Sequence, residues 1–339
     1  MNRRRIVTRV VLLLVAAVSL YLLLPKVLDV FSSWPQLRGI DPLWLALAVC
    51  FEALSYIALW TLQRITIGTR SWFAVGTSQL AANAAGSIVP GGGAAAGALQ
   101  YGMLVRAGIR GDRILSGLAT SAAATTAAVF ALPVVASIAG IGGAAAPDGL
   151  QRVAYIGAAA FVLLGLVIVT ALVWDRPLLA VARGAQTAAG WVHRRARVED
   201  LPDRLLDQRD GIRAAVRVHP VLAALAALGK WGFDYVVLIS VLQALSVKPD
   251  PSLVLLAYAA AALLALIPLT PGGLGFVEAG LTGLLVVAGV AAGAAAAATL
   301  AYRLVSYWLP LPVGLVGYWL GRRAFPAWPP AAATPTLDG

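Results

Sequence analysis

An all-α polytopic membrane protein is the fold class this sequence predicts: about six spanning helices plus two re-entrant broken-helix hairpins, related as an inverted repeat. Three observations predict it. The 339 residues are 60% hydrophobic and 12% charged, with a mean hydropathy of +0.84, which is more apolar surface than a soluble core of this length would hide. The apolar residues come in runs long enough to cross a ~30 Å hydrocarbon core. Two Pro-Gly-Gly turns, Pro90-Gly91-Gly92-Gly93 and Pro271-Gly272-Gly273, interrupt such runs. Broken helices at membrane depth are tolerated only against protein or a polar cavity.

Spanning helices are expected at 8–25, 43–63, 114–140, 153–174, 221–245 and 294–320, with the broken pieces in 72–106 and 252–289. The first run follows Arg3, Arg4 and Arg5 and continues through Leu24 without a small-residue cleavage site, so it reads as an uncleaved helix. Basic residues between the runs set the orientation. Arg3, Arg4, Arg5 and Arg9 place the N-terminus in the cytoplasm, and Arg322 and Arg323 place the C-terminus there too. Arg64 and Arg70 at one end of 72–106, and Arg106, Arg110 and Arg113 at the other, put both ends on one side, as a re-entrant hairpin requires. The 141–152 loop reads as outside. The 175–219 segment, with nine arginines, six acids and both histidines, reads as cytoplasmic. Residues 323–339, rich in Pro and Ala, read as a disordered tail.

The net charge of +11 does not signal nucleic acid. The arginines lie between hydrophobic segments and meet anionic headgroups, rather than lining one face of a folded domain. The single cysteine, Cys50, excludes an internal disulfide and is expected in the helix core. His193 and His219 lack the spacing of a metal site, and no GxxxxGK[ST] loop is present, so no metal or cofactor is expected.

The two Pro-Gly-Gly turns stand 181 residues apart. The same offset lays Ala98 on Ala279, Gly102 on Gly283, Leu104-Val105 on Leu285-Val286 and Ala107-Gly108 on Ala288-Gly289. It also lays the helix at 43–63 on 224–244, and 114–140 on 295–321. One transmembrane domain over 1–322 follows, with repeats at about 40–140 and 221–321. Three crossings separate the starts of the two repeats, so the second is expected upside down.

After each break a half-helix starts inside the membrane. Gly91, Gly92, Gly93, Gly272, Gly273 and Gly275 leave its first N–H groups unshielded by side chains, and those donors with the helix dipole favour an anion such as a lipid phosphate. Close hairpin packing is the alternative role for these glycines. Glu278 lies one turn past the second break. Arg303 is its expected partner, on one helical face with Ser306 and Tyr307. That pair either holds a headgroup or clamps the half-helix to the bundle. Four further polar residues fall within apolar runs. Glu52 and Asp234 occupy nearly equivalent repeat positions and either carry protons or are satisfied by polar neighbours. Lys230 stands four residues before Asp234, at the spacing of a helical ion pair, while Asn83 and Gln100 flank the first break.

The run Leu269-Thr270-Pro271-Gly272-Gly273-Leu274-Gly275-Phe276-Val277-Glu278-Ala279, with Arg303 and Tyr307-Trp308-Leu309-Pro310 beyond it, resembles the lysylphosphatidylglycerol synthase transmembrane family. This is the flippase-like domain of multiple peptide resistance factor proteins and of many stand-alone membrane proteins. Many relatives carry an acid and an Arg after the first Pro, where this chain reads Gly93-Ala94-Ala95-Ala96-Gly97. The resemblance implies a lipid translocase of the cytoplasmic membrane, moving an anionic or modified lipid between leaflets, with a membrane phospholipid or polyprenyl-phosphate lipid as partner. The soluble aminoacyl-transferase domain of fused members is not expected after Arg323, so enzymatic synthesis is not expected either. Two alternatives stand beside this reading: a non-transporting accessory protein of a polyprenyl-phosphate glycosyltransferase pathway, and a membrane-embedded transferase using Glu278 as base.

Overall fold

The computed structural model describes residues 41–88, 92–139, 219–266 and 271–326, with isolated helical positions at 152, 155, 156, 159 and 163. The expected helix at 8–25, most of that at 153–174, the charged segment up to 218, the tail from 327, and Pro90 and Gly91 lie outside the described residues. Within the described residues the architecture is helical, without strands. The helices are α1 Pro42–Ile67, α2 Trp72–Ile88, α3 Gly92–Arg106, α4 Gly111–Ala139, α5 Pro220–Ala244, α6 Pro251–Ala265, α7 Phe276–Val287, α8 Ala292–Arg303 and α9 Pro310–Ala324. A short 3-10 turn, Pro271–Gly273, precedes α7, and a π turn, Leu304–Trp308, joins α8 to α9. Four stretches are long and apolar enough to cross a membrane: Pro42–Ile67, Gly111–Ala136, Pro220–Ala244 and Ala292–Ala324.

Local chemistry sets the helix ends. The Asp41 carboxylate accepts from the Leu43 N–H at 2.9 Å, and Pro42 takes the first helical position, where a missing N–H costs nothing. Asp250 and Pro251 start α6 in the same way, with Ser252 N–H donating to Asp250 at 2.8 Å. Both broken regions are confirmed as interrupted helices. The two limbs of the first, α2 and α3, pack on one another. They touch where Gly92 meets Gly86, since a Cβ on Gly92 would run into the Gly86 carbonyl. At 17 and 15 residues each limb is roughly 22–26 Å long, short of a full ~30 Å crossing.

The 181-residue offset reappears in the backbone. At the end of α3, Ala107, Gly108 and Ile109 N–H groups donate to the carbonyls of Met103, Val105 and Leu104. At the end of α7, Ala288, Gly289 and Val290 donate to Leu284, Val286 and Leu285, each partner displaced by 181. Gly108 (φ 80°) and Gly289 (φ 91°) both adopt the left-handed conformation that such a helix stop demands. The next helices, α4 and α8, begin at Gly111 and Ala292, again 181 apart.

The helices α1 and α5 are equivalent under this offset and lie against each other. They run in opposite directions: Asp41 N–H donates to Ala244 O at 3.2 Å, while further along Ser55 Oγ donates to Lys230 O at 2.9 Å. Antiparallel equivalent helices are what inversion of the second repeat requires. Midway, the Phe51 and Phe233 rings stack with centroids 6.4 Å apart and planes at 21°. These two residues are equivalent to within one position of the offset. Equivalent residues that touch each other mark a two-fold axis, so the local axis relating the repeats passes beside Phe51 and Phe233.

The core lies mostly between α5, α6, α7 and α8, around Val237, Leu238, Val241, Ala257, Leu281, Leu285 and Ala298. The second half also reaches back to the first hairpin. In α9, Gly314, Gly317 and Gly321 lie against Leu80, Thr77 and Met103, the small residues letting the helices approach closely. The span expected at 294–320 is present within Ala292–Ala324, with a π turn inside it: Pro310 cannot donate to the preceding turn, and Leu309 N–H closes onto Leu304 O at 2.9 Å. One expectation is corrected. Cys50 is exposed on α1, because its helical position falls outside the face that buries Ala48, Glu52 and Ser55.

Candidate functional site

The second break builds a closed polar knot. Gly272, Gly273 and Gly275 all have positive φ (60°, 70° and 81°), so the chain turns sharply before α7. Glu278 is the third residue of that helix, placed to reach back over its own N-terminus. Its Oε2 accepts from Gly275 N–H at 2.6 Å, and its Oε1 accepts from Arg303 Nε at 2.8 Å. Arg303, in the last turn of α8, also donates from Nη2 to the Gly272 carbonyl at 3.1 Å. The two side chains are only 14% and 11% exposed. The Arg303 guanidinium lies 4.2 Å above the Tyr307 ring. An ionic pair this buried is stabilised only by good geometry and by hydrogen bonds on the remaining atoms, and both are present.

The π turn brings Tyr307 against the break. A Cβ on Gly272 would collide with the Tyr307 hydroxyl, so glycine is required there by space as well as by φ. That hydroxyl donates to the Ser87 carbonyl at 3.1 Å, at the end of the first limb α2. The two broken regions therefore meet, as the repeat predicts. The anion-accepting role expected of the half-helix N-termini takes a different form: the Gly275 N–H is already capped by Glu278, a negative group at a positive helix end. In the first copy Gly92 is buried in hairpin packing, Gly93 is open and Gly91 lies outside the described residues. The offset puts Gly97 opposite Glu278 and Ala122 opposite Arg303, so the charge pair has no counterpart in the first repeat.

A second polar cluster sits beside the two-fold axis. Asp234 Oδ2 accepts from both Tyr258 and Tyr302, the latter at 2.7 Å. The Glu52 carboxyl lies at hydrogen-bonding range of Asp234, so the expected near-equivalence of the two acids becomes contact across the axis. Both residues are buried, at 7% and 5% exposure. The expected Lys230–Asp234 ion pair is not formed. Asp234 is turned toward the tyrosines of α6 and α8, and the Lys230 ammonium lies 3.4 Å above the Trp231 ring. Asn83 and Gln100 both reach α1. Asn83 donates to the Tyr56 hydroxyl at 3.0 Å and Gln100 to Gln63 Oε1 at 2.8 Å, which pins the hairpin to α1.

Sequence reasoning missed Tyr258, Tyr302, Tyr56 and Gln63. A signal was present for the first two: Tyr258 interrupts an Ala-rich run, and Tyr302 precedes Arg303. Consecutive helical residues point about 100° apart, so Tyr302 serves Asp234 while Arg303 serves Glu278.

Chemically, the knot offers a guanidinium fork suited to a phosphate oxygen, held by a carboxylate that an anion would have to displace. Comparison with known proteins identifies the family. Over 110 residues the chain is 34% identical to a protein described as a UPF0104 membrane protein from Methanothermobacter thermautotrophicus, covering 32% of this chain and 31% of that one, so the match spans about a third of the relative's length. The model of the lysylphosphatidylglycerol synthase TM region matches residues 9–314. That match takes in both broken hairpins and the Glu278–Arg303 pair, and the chain belongs to the lysylphosphatidylglycerol synthase TM region family.

Proposed function

We propose that this multi-pass membrane protein is a lipid translocase, moving an anionic or modified lipid, a phospholipid or polyprenyl phosphate, between the leaflets of the cytoplasmic membrane. It moves the lipid without transforming it. The observation that carries this reading is the buried Glu278–Arg303 pair at the start of a helix that begins within an apolar span, closed onto the Gly272 carbonyl. A charged pair is costly in lipid, and an ionisable pair kept at membrane depth is by default a candidate functional site. A phosphate headgroup would take the Arg303 fork in place of Glu278, and the freed Glu278 would stay on the positive end of α7. Antiparallel α1 and α5 support a rocking of one repeat against the other about their shared axis.

The test is a leaflet-resolved assay in proteoliposomes carrying phosphatidylglycerol, lysyl-phosphatidylglycerol or a polyprenyl phosphate. Wild-type protein moves at least one of them, and Glu278→Gln slows it. If none moves, and Glu278→Ala is silent in cells, the translocase reading is wrong. Orientation is read separately, by labelling cysteines introduced at Ala144 and Arg195, which should report opposite sides of the membrane.

A further inference from the structure

We infer that Glu52 and Asp234 form a proton-binding site on the axis between the two repeats, holding one proton between their carboxyl groups. Four features of the structure carry this. Both carboxyl groups are buried, yet Glu52 Oε2 has no hydrogen-bond partner. A buried carboxylate oxygen without a donor pays its full desolvation cost, and a proton placed between the two acids supplies the missing donor. Next, Tyr258 and Tyr302 both spend their hydroxyl hydrogens on Asp234, which orients that carboxylate and leaves Glu52 as the group that must share the proton.

The third feature is charge. The titratable groups facing the pair are Tyr56 from α1, Lys230 from α5, Tyr258 from α6 and Tyr302 from α8; α4 packs nearby but has no titratable side chain beyond its first turn. With neutral tyrosines, two carboxylates and one ammonium leave a single negative charge in a membrane interior. One proton brings the cluster to neutrality, which the low dielectric demands. A divalent cation would leave the cluster with one positive charge in excess, because Lys230 already supplies one beside Glu52; a sodium ion would balance it as a proton does, and the experiment below separates the two.

The fourth is position. Glu52 and Asp234 follow Phe51 and Phe233, the pair that marks the axis. A proton held there ties α1 to α5, and its loss sets two like charges face to face across the seam on which the repeats would rock. Tyr302 and Arg303 are neighbours on α8, so a shift at Asp234 is passed to the Glu278 knot. This use in transport rests on the translocase reading; the proton site itself does not.

The experiment is carbodiimide labelling of the purified full chain. Dicyclohexylcarbodiimide takes the proton of a membrane-buried carboxylic acid onto its nitrogen and bonds the carboxylate oxygen to its carbon, giving an O-acylisourea; the acyl group then moves from that oxygen to nitrogen, leaving a stable N-acylurea. Peptide mapping should find the adduct on Glu52 or Asp234, with Glu278 unlabelled because both its oxygens are engaged, by Gly275 N–H and by Arg303. The adduct should be lost as pH is raised, and the Glu52→Gln protein should lose the Glu52 adduct. No adduct at either acid across the pH range, an adduct indifferent to pH, or protection by sodium at fixed pH would each overturn the proposal. The lipid assay separates the two readings. A pH-dependent adduct in a protein that moves no lipid leaves the proton site and removes the translocase; lipid movement without the adduct does the reverse.

Discussion

The Tyr307 hydroxyl donates to the Ser87 carbonyl across 220 residues of chain, tying the π turn of the second repeat to the end of the first limb in the first. It is a neutral contact within a charged neighbourhood, and it seats Tyr307 over Gly272. Tyr307→Phe should therefore cost only about 1 kcal/mol, the net value of one hydrogen bond. Gly272→Ala should be far worse, because its Cβ would strike the same ring at a positive φ. Thermal unfolding in detergent should rank Gly272→Ala well below Tyr307→Phe. It should also rank below Gly275→Ala, whose Cβ would enter open space.

Glu278 and Arg303 form a buried pair whose partners depend on one another. Replacing either alone should cost about 3–5 kcal/mol, since it strands a charge. Replacing both with apolar residues of similar size should cost much less, and a double-mutant cycle on thermal stability would show the coupling. Arg303→Lys should behave as a loss: a lysine ammonium cannot span Glu278 and the Gly272 carbonyl with the spread of the guanidinium fork. If the single replacements prove as mild as the double, the pair is not a coupled unit.

Gln63 and Gln100 bond amide to amide in a buried setting. Gln100→Leu leaves the Gln63 carbonyl oxygen without its donor and should destabilise by about 1–3 kcal/mol, whereas changing both to Leu should approach neutrality. Proteolysis of the α2–α3 hairpin gives the readout, because this bond ties α3 to α1.

Gly108 and Gly289 perform the same helix stop 181 residues apart. Alanine at either position should cost about 1–2 kcal/mol for a left-handed backbone, by similar amounts, with the two costs adding since the sites are separate. Unequal or strongly coupled losses in thermal midpoint would contradict equivalent roles.

Four of the six expected spanning helices, both breaks and the 181-residue offset were legible in the sequence because apolar runs and Pro-Gly-Gly turns are local signals; the other two lie wholly or largely outside the described residues. The Glu278–Arg303 pair was legible because a charge in lipid requires a partner and few were on offer. The tyrosine clamp on Asp234 was not legible, since helical spacing offered Lys230 as the nearer partner while α6 and α8 supplied better donors from far along the chain. The interruption at Leu304–Trp308 escaped notice as well. Pro310 signalled it, yet proline at a first helical position and proline behind a π turn read alike in sequence. Cys50 went astray because an apolar helix in a membrane gives no hydropathy contrast between its lipid face and its protein face.

Gly97 and Ala122 stand where a perfect duplicate would carry a second Glu278 and Arg303. In an inverted pair of identical halves, exchanging their conformations would give a state of equal free energy facing the other way. Here that exchange is not degenerate, because one half carries a latch and the other has only small side chains. On the translocase reading, the protein would therefore have a preferred parking position, its two orientations populated unequally before any lipid, gradient or partner acts on it.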